Sequence, residues 1–74
     1  MPHVNIKHFP ALVPDELRAE LIGSIVNAVT RAFGCDEKVV SISIESISPA
    51  QWQDEVYQPE IVARHEFLVK TPQY

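Results

Sequence analysis

Apolar and polar residues alternate from His3 to Phe9, with Val4 and Ile6 on one face and His3, Asn5 and Lys7 on the other. A period of two predicts a half-buried strand. The stretch Phe9-Pro10-Ala11-Leu12-Val13-Pro14 holds two prolines and cannot be helical; Pro14 is placed as the first helical residue, with Asp15 and Glu16 stabilising the N-terminal turn. The period then changes. Leu17, Leu21, Ile22, Ile25, Val29, Ala32 and Phe33 recur at helical spacing as one buried stripe, Arg18, Glu20, Asn27 and Arg31 are assigned to the wet side, and Gly34 is the natural stop. From Lys38 to Glu45 the alternation returns, with Val40, Ile42 and Ile44 on one face and Val39, Ser41, Ser43 and Glu45 on the other.

A strand, a crossover helix of this length and a second strand predict a parallel, right-handed βαβ unit whose helix covers the apolar face of both strands. In Ser48-Pro49-Ala50-Gln51, an N-cap serine, a proline at the first helical position and Gln three residues after the cap predict a short helix carrying Trp52. Pro59 is expected to restart helical structure. Ile61, Val62, His65, Leu68 and Val69 then recur at helical spacing until Thr71-Pro72 ends it. The expected fold class is α/β: a β-α-β arrangement of two parallel strands and one long crossover helix, followed by short C-terminal helices, in one domain over residues 1–74.

A chain of 74 residues hides only about 60% of the surface its unfolded form exposes, so something must add to the core. Cys35 is the only cysteine, which removes intrachain disulfides and cysteine-based zinc staples, and oligomerisation is the remaining usual route. The formal charge of -4 and the lack of a basic stripe argue against nucleic acid or an anionic membrane as partner. No apolar run is long enough to span a bilayer, and Met1-Pro2-His3 is not followed by the apolar core of a secretory signal, so a soluble, cytoplasmic protein is expected. His3 and His8 fall on opposite faces of one strand and cannot chelate one metal locally. His65 reads as a half-buried packing residue and Cys35, in the loop after Gly34, as a bystander thiol. No metal or cofactor is expected.

Pro2 carries the most chemical information. If Met1 is removed, Pro2 becomes a free secondary amine, and an apolar pocket or a neighbouring cation would lower its pKa far enough to make it a general base at neutral pH. With Met1 attached the same nitrogen is a tertiary amide without basicity. The other reading of Pro2 is the start of an edge strand, where a missing N–H costs nothing.

Taken together, the Met1-Pro2 start, the strand "HVNIKHF", one long amphipathic helix, the strand "VVSISIESI" and then "SPAQWQ" resemble the 4-oxalocrotonate tautomerase family, and most of all its small dimeric PptA-like branch. The resemblance implies that Pro2 is a general base moving a proton between a carbon alpha to a carbonyl and a second carbon or an oxygen. It also implies that Trp52, where the family places an aromatic residue over the pocket, supplies an apolar wall and one N–H donor for an enolate oxygen; an ordinary core anchor is the other reading of Trp52.

The chain departs from the founding members at their two substrate-holding arginines, where it has Leu12, with Ala11 beside it, and Ser41. A charge-assisted pair contributes roughly 1.5–3 kcal/mol, so a doubly charged dienol acid is a poor candidate substrate. Arg64 would replace the missing arginines if the last helix folds over the pocket, and is otherwise a solvated helix-face residue. Lys7 either lowers the pKa of the Pro2 amine or faces water. The expected activity is that of a cofactor-independent keto-enol tautomerase acting on a small, aromatic 2-oxo acid or its enol. Trp52, Ser41 and a backbone N–H are the candidate oxyanion donors. Two alternatives stay open: a hydratase or dehalogenase of the same superfamily, and a non-catalytic oligomer that keeps the fold. A small-molecule substrate and a second copy of the chain are the expected partners. The polar face His3, Asn5, Lys7, Ser41, Ser43 and Glu45 favours a homodimer over a hexamer that buries it.

Overall fold

The alternating segments become two six-residue strands, β1 (His3–His8) and β2 (Ser41–Ser46), joined by the nineteen-residue helix α1 (Asp15–Phe33). The computed structural model describes all residues from Met1 to Tyr74. The strands pair in parallel with His3 opposite Ser41, Val4 opposite Ile42, Asn5 opposite Ser43, Ile6 opposite Ile44 and Lys7 opposite Glu45. This register follows from matched alternation, since a slip by one residue would set Val4 and Ile6 against Ser41 and Ser43 on the wrong face. The expected β-α-β fold with two parallel strands, one long crossover helix and short C-terminal helical segments is therefore present.

The helix ends follow backbone chemistry. The Pro14 carbonyl accepts the first helical bond, from Arg18 N–H at 2.9 Å, while Pro14 itself stays extended, so it caps the helix from one position outside its expected place. At the other end Gly34 takes the left-handed conformation, φ 63°, and donates its N–H to the Thr30 carbonyl. Only glycine enters that region without steric cost.

Three expectations fail, and each failure has a local cause. The second strand starts at Ser41 rather than Lys38, because the Asp36 carboxylate accepts the Lys38 N–H at 2.9 Å and winds Glu37–Val39 into a 3₁₀ turn. No helix begins at Ser48: its hydroxyl donates to the Gln51 side chain at 3.2 Å instead of capping a backbone N–H, and turns lead into Trp52. The largest departure is Pro59, which starts nothing and lies inside a π-helix, Gln53–Val62, closed by the Ala63 N–H to the Gln58 carbonyl at 3.0 Å. In an α-helix the Pro59 ring would press on the Glu55 carbonyl; a wider turn relieves that clash. The expected last helix reduces to a 3₁₀ turn, His65–Phe67, and the chain then runs extended to Tyr74, whose ring lies 5.9 Å from that of Tyr57.

The chain is under-packed. Val56 alone is fully enclosed, at 6% exposure, whereas Leu12 is 100% and Phe33 72% exposed. The accessible surface is 5996 Å², against about 4,600 Å² expected of a compact monomer of this mass. The radius of gyration, 14.0 Å, likewise exceeds the roughly 11 Å of a compact chain of this length. Val4, Ile6, Ile42 and Ile44 of the sheet and Ile25, Val26 and Val29 of α1 are only half-buried, so this interface is the beginning of a core and not a complete one.

Candidate active site

Pro2 stands at the head of β1, half-buried, and its carbonyl accepts the Ser41 N–H at 3.1 Å, which extends the parallel ladder by one bond and fixes the residue against β2. A cavity of about 350 Å³ opens here, lined by Met1, Pro2, His3, Val4, Val29 and Phe33. Its walls are apolar because α1 ends above the strand and lays Val29 and Phe33 over it. Met1 projects into solvent at 99% exposure. Ser41 is next to Pro2 in the ladder, but its hydroxyl is engaged with His3 Nδ1 at 2.6 Å on the polar face of the sheet.

Trp52 lies at the opposite end. Its ring meets that of Phe9 edge-on, with centroids 5.0 Å apart and planes at 86°, the favourable T-shaped geometry. Lys7, His8, Phe9, Pro49, Trp52, Gln53 and Tyr74 line a cavity of about 610 Å³, larger than that at Pro2. The side-chain hydrogen bonds of the protomer do not include the Trp52 indole N–H, which is left free to donate. From Pro2 to Phe9 the chain is extended, so the two cavities are separated by roughly 23 Å at the rise of a strand. The chain by itself does not bring Pro2 and Trp52 together.

The charged candidates divide clearly. Lys7 pairs with Glu60 of the π-helix, and this hydrogen bond holds its ammonium pKa above the ordinary lysine value, with the charges of Glu60, Glu45 and Glu55 acting in the same direction. Lys7 is thus committed, and it sits at the far end of the strand from Pro2. Arg64 stacks over the Phe67 ring at 5.0 Å and lines none of the cavities. His65 is exposed rather than half-buried, because the helix expected to tuck it inward is a single turn. Cys35 is half-buried after Gly34 with its N–H on the Thr30 carbonyl at 3.2 Å. No three His, Cys, Asp or Glu side chains converge at metal-binding distance.

Two features escaped the sequence reading. His8 Nδ1 lies 2.5 Å from the Phe9 carbonyl; a carbonyl only accepts, so Nδ1 is the donor of this contact and Nε2 is the ring nitrogen left without a partner. Arg18 is exposed, as expected of the wet side, and it also lines a cavity of about 480 Å³ with Ile6, His8, Phe9, Ala11, Leu12, Val13, Leu21 and Ile44. The signal was available: at about 100° per residue, Arg18 falls between Ile25 and Val29 in the middle of the apolar stripe.

No family model matches the chain. Curated relatives do, along its entire length. It is 32% identical to the tautomerase PptA of Pectobacterium carotovorum and 34% identical to the tautomerase PptA of Escherichia coli O127:H6, in each case over 74 residues that make up 100% of this chain and 97% of the relative. The chain belongs to the 4-oxalocrotonate tautomerase family, in its PptA-like branch. As a member of that family it is an enzyme of the isomerase class, a tautomerase, and the reading as a non-catalytic oligomer falls away. No helix is long and apolar enough to cross a membrane.

Proposed function

We propose that the protein is a cofactor-independent keto-enol tautomerase in which Pro2, freed by removal of Met1, is the general base, and that its substrate is a small aromatic 2-oxo acid or the corresponding enol. The observation that carries this reading is the cavity of about 350 Å³ that Val4, Val29 and Phe33 build around Pro2 at the head of β1. Apolar walls disfavour the charged form of an amine, so the secondary amine of Pro2 would be unprotonated near neutral pH. It then removes the enol hydroxyl proton, and the electron pair of that O–H bond becomes the carbonyl π-bond while the carbon takes the proton back from the prolinium. A single base serves both halves of the reaction, provided that a donor holds the oxygen while it is negative.

The free indole N–H of Trp52 is the strongest candidate donor, and it reaches Pro2 only from another chain. Both edges of the two-stranded sheet are open, and a two-fold axis that pairs one edge with its copy runs the strands antiparallel. The head of β1 in one protomer then faces the Phe9 and Trp52 end of its partner. Ser41 is a weaker donor because His3 already holds its hydroxyl. Arg64, directed onto Phe67, enters the site only if it too comes from a neighbouring chain.

One domain, Met1 to Tyr74, working as a homodimer accounts for the surface excess. The protomer exposes roughly 1,400 Å² beyond a compact monomer of its mass, which is the scale of an obligate dimer interface. The polar sheet face satisfies itself, with Asn5 donating to Ser43 at 2.5 Å and to Glu45 at 2.9 Å, so nothing on it calls for a third layer of subunits. Light scattering at micromolar concentration should give about twice the protomer mass of 8.4 kDa. A mass near six protomers would overturn the dimer, and a monomer would remove the shared pocket.

The chemical reading is tested by comparing two preparations of the same protein, one starting at Pro2 and one with Met1 retained, each verified by intact mass. The first should ketonise the enol of phenylpyruvate in the presence of a metal chelator. The second should be silent, because its Pro2 nitrogen is an amide. Equal rates in both would end the role of Pro2.

A further inference from the structure

The cavity beneath α1 at the Phe9 end of the sheet is apolar on nearly every wall, yet a guanidinium lines it. Arg18 comes from the centre of the helix stripe that elsewhere carries Ile25 and Val29, the two residues nearest to it in angle around the helix. Arg18 is exposed at this cavity, so its guanidinium is available to an anion that enters it. The protomer supplies none. Its one ion pair is Lys7 with Glu60, and Asp15, three residues before Arg18 on the same helix, does not close onto it.

We propose that Arg18 holds the carboxylate of the substrate, from the protomer opposite the one that supplies Pro2. This assignment rests on the reading of the protein as a tautomerase of a 2-oxo acid, and it names the group that recognises the acid. Its volume, about 480 Å³, is within the roughly 300–1,000 Å³ of small-molecule sites. His8 and Phe9 line this cavity and also the Trp52 cavity, so the two are neighbours divided by those side chains. An acid seated on Arg18 therefore extends its organic portion along Phe9 towards Trp52. The combination selects one carboxylate and one flat apolar group, since Lys7, the other cation nearby, is already taken by Glu60. A planar guanidinium offers two parallel N–H donors to a carboxylate, a geometry that an ammonium does not reproduce.

Trp52 is the only tryptophan, and its fluorescence reports binding without any turnover. Titration of 3-phenylpropionate and of 3-phenylpropionamide, which share a shape and differ in charge, should show a preference of roughly tenfold to a hundredfold for the acid. Arg18→Gln should abolish this preference while leaving amide affinity in place, Arg18→Lys should retain a fraction of it, and KM for the 2-oxo acid should rise by a comparable factor. Pro2→Ala protein should bind both ligands as the wild type does, which separates a failure of the base from a failure of the anchor. Persistence of the acid preference in Arg18→Gln overturns the proposal. So does dissociation of the oligomer in that variant with loss of amide binding, because Arg18 would then serve assembly.

Discussion

Pro2→Ala should lower the ketonisation rate of phenylpyruvate enol by roughly two to four orders of magnitude, the range that a positioned general base contributes. The variant keeps an N-terminal amine, but a primary one that rotates freely about its Cα and is no longer held in a ring against Val29 and Phe33. Its fold should be unaffected. The only backbone bond that Pro2 makes to β2 goes through its carbonyl, to the Ser41 N–H, and alanine retains that acceptor. The thermal midpoint and the oligomeric mass should therefore match those of the wild type, so that a fall in rate reads as chemistry and not as unfolding. The measurement is single-substrate kinetics on protein whose intact mass shows the first residue. A rate within a few-fold of wild type would mean that proton transfer runs through another group, with His8 Nε2 the next to test.

Much of the fold was legible because two periods, 2 and 3.6, are written cleanly into residues 3–8 and 15–33 and match across the sheet: Val4 with Ile42, Ile6 with Ile44. The C-terminal third was misread for a reason specific to Pro59. A proline most often marks a helix start, but here the chain accommodates it by widening the turn, and periodicity cannot distinguish a broken α-helix from a continuous π-helix. Arg18 is solvent-exposed, as its charge suggests, yet its angle around α1 aligns it with Ile25 and Val29, and the cavity it lines follows from that angle and not from its charge. The separation of Pro2 from Trp52 was implicit in the topology. With parallel strands, a residue before β1 and a residue after β2 must lie at opposite ends of the sheet. Sequence similarity names the family from the whole chain at once, but it does not reveal that Pro2 and Trp52 lie at opposite ends of the sheet.

That separation leads to a result that only a shared site produces. Pro2→Ala and Trp52→Leu should each be nearly inactive alone, the first for lack of the base and the second for lack of the oxyanion donor, whose removal costs roughly 10²–10³ in rate. Leucine keeps part of the apolar contact with Phe9, so the second variant should still fold and associate. If the two proteins are unfolded together and refolded at equal concentration, half of the dimers should be mixed. In a mixed dimer one site combines both mutations and the other has a native Pro2 from one chain and a native Trp52 from the other. About a quarter of all sites are then intact, and the mixture should recover about a quarter of wild-type activity. Separate refolding followed by mixing without exchange gives the control, which should remain near zero. If Pro2 and Trp52 acted within one chain, each mixed dimer would contain only singly damaged sites and co-refolding would restore nothing. A flat response would therefore place the oxyanion donor in the same protomer as Pro2, where the Ser41 hydroxyl, already bound to His3, is the nearest side-chain candidate.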